Sequence, residues 1–199
     1  MKKLLSVLAL MMVLTIAPGL CLAAVDVGSK TISRGDDIKV SYPVLANLED
    51  LKIQKTINQD IETEIKNFIK VERKGNSDKN ISGSFQVRYT EMDTLSITMD
   101  LTIKKENAAY PTKILKGFNY DLNTGERLQY SALQNVSQDD VNKALMKHLK
   151  DKDVYLPDFK GINFVPAEFY IDERGDLVSI IQEQVIAPHA AGTLEFKVF

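Results

Sequence analysis

The chain has 199 residues, with 25 Lys and Arg against 27 Asp and Glu and a formal net charge of −2. That balance supplies no concentrated basic face of the kind a nucleic-acid binder presents. One cysteine and two histidines leave little for disulfide, thiol or metal chemistry.

Lys2 and Lys3 precede an apolar stretch from Leu4 to Leu22, interrupted late by Pro18 and Gly19. Small residues at Cys21 and Ala23 suit a cut after Ala23, so residues 1–23 read as a secretory signal. Uncut, the same stretch is nearly long enough to serve as an anchor. Pro18-Gly19-Leu20 before Cys21 is a poor lipidation site, and a cut after Ala23 removes the cysteine. Removing 23 residues from 199 leaves 176, expected to form a single secreted domain over 24–199. Loss of Lys2 and Lys3 makes its formal charge −4, which favours a basic partner over nucleic acid or an anionic membrane.

Within that domain, residues 24–75 read as a strand and a long helix, and residues 80–199 as a sheet-rich segment. Ile38, Val40 and Tyr42 alternate with polar residues, and Pro43 is expected to end the run. The spacing of Ile57, Ile61, Ile65 and Phe68/Ile69 predicts a helix from about Leu48 to Val71 with one apolar stripe. Asn47 is its expected cap, with Asp50 in the first turn. A loop follows at Gly75-Asn76-Ser77-Asp78.

Phe85, Val87 and Tyr89 then alternate with polar residues, as do Leu95, Ile97, Met99, Leu101 and Ile103. This predicts a sheet with one wet and one buried face. A third strand is expected from Thr112 to Leu122, then a turn at Asn123-Thr124-Gly125-Glu126. Ser137 starts a second helix with Val141, Leu145 and Leu149 on one stripe. Further strands are expected at Ala167–Ile171, Leu177–Gln184 and Thr193–Phe199. With no second hydrophobic core evident, the fold class is α+β, an antiparallel sheet with two helices packed on one face.

Chemistry-bearing constellations are few. His148 lies near the end of the second helix, where the dipole favours a proton. No His-x-x-x-His pair, Gly-x-Ser-x-Gly elbow or glycine-rich phosphate loop occurs. The reading assigns no catalytic residue, metal or cofactor. The segment Ala187-Pro188-His189-Ala190-Ala191-Gly192 reads as a tight connection between strands: Pro188 cannot donate to a ladder and Gly192 can take positive φ.

That segment, with Glu195-Phe196 after it, resembles the hallmark ending of a bacterial extracytoplasmic domain family of unknown function (DUF3298/DUF4163-like). The family usually has Ala-Pro-Tyr-Ala-Ala-Gly, so His189 stands where an aromatic is usual. Ala109-Tyr110-Pro111 and Phe118-Asn119-Tyr120-Asp121-Leu122-Asn123-Thr124-Gly125 are similar to its upstream motifs. Ser41-Tyr42-Pro43 with Ile57-Asn58 is similar to its partner segment. Asn107 and Ala108 replace its paired glycines.

Such domains occur in peptidoglycan deacetylases and in the ectodomain of lysozyme-binding anti-sigma factors. The resemblance implies an α+β fold and a non-catalytic cell-envelope binding module recognising a lysozyme-like basic protein or a cell-wall glycan. Tyr110, Pro111, Pro188, His189 and Gly192 are its expected contacts. A sequence ending at Phe199 and opening on Met1-Lys2-Lys3 implies neither a deacetylase domain nor a sigma-binding segment. Competing readings are an envelope hydrolase or deacetylase and a structural subunit of an envelope complex.

Overall fold

The computed structural model describes residues 25–74, 79–130 and 136–198; the expected signal, Cys21 and the Gly75–Asp78 loop lie outside these residues. Strands β1 (Asp26–Arg34) and β2 (Ile38–Ala46) form an antiparallel hairpin. Its turn contains Gly35 at φ 57°, a left-handed conformation that glycine adopts without a Cβ penalty. β2 does not stop at Pro43. The Leu45 N–H points away from β1, to Asn58 Oδ1 at 2.7 Å, and Pro43, two residues earlier, faces that same edge. β3 pairs with β2 only over Ile38–Val40, so the missing N–H of Pro43 breaks no ladder bond.

Helix α1 (Leu51–Glu72) buries Ile57, Ile61, Ile65 and Ile69, as the stripe predicts. Its cap is Asp50, not Asn47: Asp50 Oδ1 accepts from the Lys52 and Ile53 N–H groups at 2.7 and 3.2 Å. Asn47 sits at φ 60° and donates to Asp26 instead. The isoleucine stripe packs with Leu95, Ile97, Met99 and Leu101 in the main core. Each isoleucine withdrawn from water contributes about 1.5–3 kcal/mol.

β3 (Lys79–Tyr89), β4 (Thr94–Lys105) and β5 (Thr112–Asp121) complete a five-stranded sheet of order β1-β2-β3-β4-β5. The β2–β3 pair is parallel, with α1 in the connection, and the other pairs are antiparallel. The face expected to be wet is only partly so. Ser96 and Thr98 are both fully buried, because a second sheet lies over that part of β4 and β5. This sheet comprises β6 (Glu168–Ile171), β7 (Leu177–Ile181) and β8 (Leu194–Lys197), all antiparallel. Gly117 on β5 permits the approach: a Cβ there would stand 1.7 Å from the Phe169 carbonyl oxygen.

Helix α2 (Gln138–Asp151) begins with a capping box in which Ser137 and Asp140 exchange hydrogen bonds. Its Val141, Leu145 and Leu149 pack with Phe169, Leu177, Leu194 and Phe196 in a second core cluster. The α+β class is as read from the sequence. The arrangement differs: each helix packs with its own sheet, and the sequence showed no sign of the second core. Neither helix, nor any other among the described residues, is long and apolar enough to cross a membrane.

Candidate functional site

Among the described residues no named strand pairs with the outer edge of β5, yet side chains satisfy several of its backbone groups. Lys113 N–H donates to Glu183 Oε1 at 2.9 Å, and Leu115 N–H donates to Gln182 Oε1 at 3.0 Å. The Gln182 amide returns a bond to the Leu115 carbonyl at 2.7 Å. Further along, Gly117 N–H donates to Glu168 and the Gly117 carbonyl accepts from Arg127. These side chains close an edge that would otherwise invite another strand. They also pin the start of the β7–β8 connection beside the start of β5.

That connection folds back through a short 3-10 turn, His189–Ala191, which Pro188 precedes. The Ala191 N–H donates to the Pro188 carbonyl at 2.9 Å, and the Gly192 N–H to the His189 carbonyl at 3.0 Å. Gly192 leaves the turn at φ 66°, the positive value its sequence context suggests. The turn carries His189 against Tyr110, with ring centroids 5.4 Å apart and planes tilted by 43°. Tyr110 remains 70% exposed.

Together they stand on a cleft of about 560 Å³, which Pro111 and Gly192 also line. Four of the five sequence-derived contact residues thus share one site. Pro188 shapes the turn without lining the cleft.

The floor comes from β4 and β5 beyond the reach of the second sheet. Asp100 and Thr102 continue the face that holds Ser96 and Thr98, but here it is open. Asp100, Glu183 and Glu195 give the cleft three carboxylates against the single ammonium of Lys113. Sequence reasoning missed these residues. Asp100 and Glu195 carried a signal, since strand alternation puts both on a wet face and Glu195 belongs to the hallmark ending; Glu183 carried none.

Glu183 is the buried member, with its side chain 5% exposed. Its Oε2 lies 3.2 Å from His189 Nδ1, and Gln184 Nε2 lies 3.1 Å from that same nitrogen. A protonated Nδ1 donates to Glu183, whereas a bare one accepts from Gln184. The two contacts therefore correspond to different tautomers. Glu195 accepts from the Tyr170 hydroxyl; burial first, and then the charge of Glu195, push that phenol up to about 12.

Ala190 and Ala191 form a wall with a second cleft of about 390 Å³ behind it, lined by His148, Lys152 and Glu195. Burial, reinforced by Lys152, holds the His148 pKa below its ordinary value. The helix-end field expected to favour its proton is the weaker effect. Among the described residues, no group of three or more His, Cys, Asp and Glu side chains is placed to hold a metal ion.

No protein-family model matches the sequence, and no curated protein is similar to it. Solved structures do share its architecture. A DUF3298 family protein from Bacteroides fragilis superposes with a TM-score of 0.64 at 13% identity, covering 87% of this chain and 90% of its own. Another from Pseudomonas aeruginosa gives a TM-score of 0.61 at 11% identity, covering 87% of this chain and 88% of its own. The chain therefore has the fold of DUF3298 family proteins, the family its motifs resemble.

Proposed function

We propose that the protein is an extracytoplasmic, non-catalytic binding module that recognises a lysozyme-like basic protein or a cell-wall glycan through the Tyr110–His189 cleft. The observation that carries this reading is the ring pair itself. Two residues distant in sequence meet at the mouth of an acidic cleft, and one leaves most of its ring free. An exposed tyrosine held by a neighbour offers apolar contact area at little entropic cost. The excess of carboxylates attracts a basic surface.

Retention assays with immobilised basic lysozymes and with purified peptidoglycan test the proposal. Retention by one of them, weakened by Tyr110→Ala, is expected. Passage through both without delay sinks it.

One observation favours an envelope hydrolase instead. A histidine with a carboxylate at 3.2 Å in a cleft is half of a general-base arrangement. Turnover of a wall substrate that disappears in His189→Ala would establish that reading over the binding one.

A further inference from the structure

We infer that the cleft receives the guanidinium of an arginine on a basic protein partner, stacked on Tyr110 and held by Asp100 and Glu195. The inference rests on the binding reading above and names what that site would take.

Three features of the cleft converge on this chemistry. The first is the flat platform. Tyr110 has His189 behind it at 5.4 Å and most of its ring exposed, so a planar cation can stack there without reorganising the site. The second is an uncommitted charge. The Asp100 carboxylate has no hydrogen-bond or ion-pair partner among the described residues, although the cleft places it on an ordered strand. Glu183 differs, since the Lys113 N–H and His189 occupy its two oxygens. Glu195 gives one contact to Tyr170 and is otherwise exposed, so it can accept from a ligand as well.

The third is the sign of the field. Lys113 alone opposes three carboxylates, and an incoming cation gains from that imbalance. Arginine suits the site better than lysine: its planar fork stacks on an aromatic face and meets a carboxylate at the same time. A neutral glycan could use the platform but would draw nothing from the charge.

Titrating the purified protein with triarginine, trilysine and chitotetraose, followed by amide chemical shifts and calorimetry, tests this directly. Triarginine should shift the amides of Tyr110, His189 and Gly192, and bind about fivefold more tightly than trilysine. Tyr110→Ala should weaken triarginine binding about threefold to fivefold. Asp100→Asn with Glu195→Gln should weaken it about tenfold. Lys113→Gln should strengthen it.

Absence of those shifts, equal affinity for trilysine, or chitotetraose occupying the cleft instead would each overturn the inference. Intact lysozyme retained by a protein whose cleft ignores triarginine leaves the broader reading standing and removes this one. Triarginine seated in the cleft of a protein that retains neither lysozyme nor peptidoglycan does the reverse.

Discussion

The Ser96 hydroxyl donates to Asn119 Oδ1 at 2.6 Å between the two sheets, where both residues are buried. Asn119 Nδ2 passes a bond to the Phe169 carbonyl at 2.8 Å, and the Ile171 N–H donates to Ser96 Oγ at 2.9 Å. Two polar side chains on adjacent strands of the large sheet thus satisfy the backbone of β6, which has no strand on that side. Removing either leaves buried groups unpaired, at about 1–3 kcal/mol each. Ser96→Ala should therefore lower the urea midpoint without changing its slope. Asn119→Ala should lower it further, because it also opens a cavity. A Ser96→Ala protein as stable as the parent would show that the network contributes nothing.

Gly117 sets how close the sheets come. A Cβ 1.7 Å from the Phe169 oxygen has no room, and the obstacle is backbone rather than a mobile side chain. Gly117→Ala must push β6 away from β5, stretching the Glu168 and Asn119 bonds that flank it. A cost of about 3 kcal/mol or more is expected from such overpacking. Gly35→Ala serves as the comparison, since a Cβ there meets nothing within 4 Å. Its cost should be limited to the strain of a positive φ. Thermal unfolding of the two variants should rank them in that order.

These two sites explain what the sequence could and could not convey. Four isoleucines at helical spacing, the long alternation of β4, the Ser137 cap and the turn at Gly125 each follow local rules, and each forms as read. Ser96, Thr98 and Asn119 obey a local rule too, but the pattern cannot tell a polar residue facing water from one paired beneath another sheet. The second core was hidden for the same reason, because its apolar residues are dispersed over short strands and a helix far apart in the chain. At the cleft, turn chemistry and the family resemblance located Tyr110 and His189 separately. Their contact depends on Gln182 and Glu183 closing the edge of β5, which no spacing reveals.

Asn58 offers a sharper test of how helix and hairpin are joined. Its amide donates to the Leu45 carbonyl at 2.9 Å and accepts from the Leu45 N–H at 2.7 Å, standing in for an absent strand. Asp keeps the acceptor and loses the donor, while Ala loses both. Asn58→Asp is expected to cost about 1 kcal/mol and Asn58→Ala about 2 kcal/mol. Amide exchange at Leu45 should accelerate selectively in the alanine variant. If exchange there is unchanged, the Leu45 backbone is held by something other than this side chain.

The histidine behind the loop makes stability depend on pH. His148 is held below its ordinary value of 6.5 chiefly by burial, with Lys152 adding to the effect and Asp151 and Glu195 opposing it. The unfolded chain regains the ordinary value, so between the two pKa values it binds more protons at this site than the native chain does. Stability is therefore unaffected well above 6.5, falls as pH drops through that value, and levels off once the native pKa is passed. The ring is only partly buried, so solvent screens the effect and it stays modest. His148→Gln should abolish this component while leaving the acid loss from carboxylates such as Glu64, which Lys116 holds below its ordinary range. Urea midpoints of parent and variant, compared at pH 7.5 and pH 5.5, isolate it. The parent should lose more over that interval, and parallel losses would mean that His148 titrates normally in the folded chain.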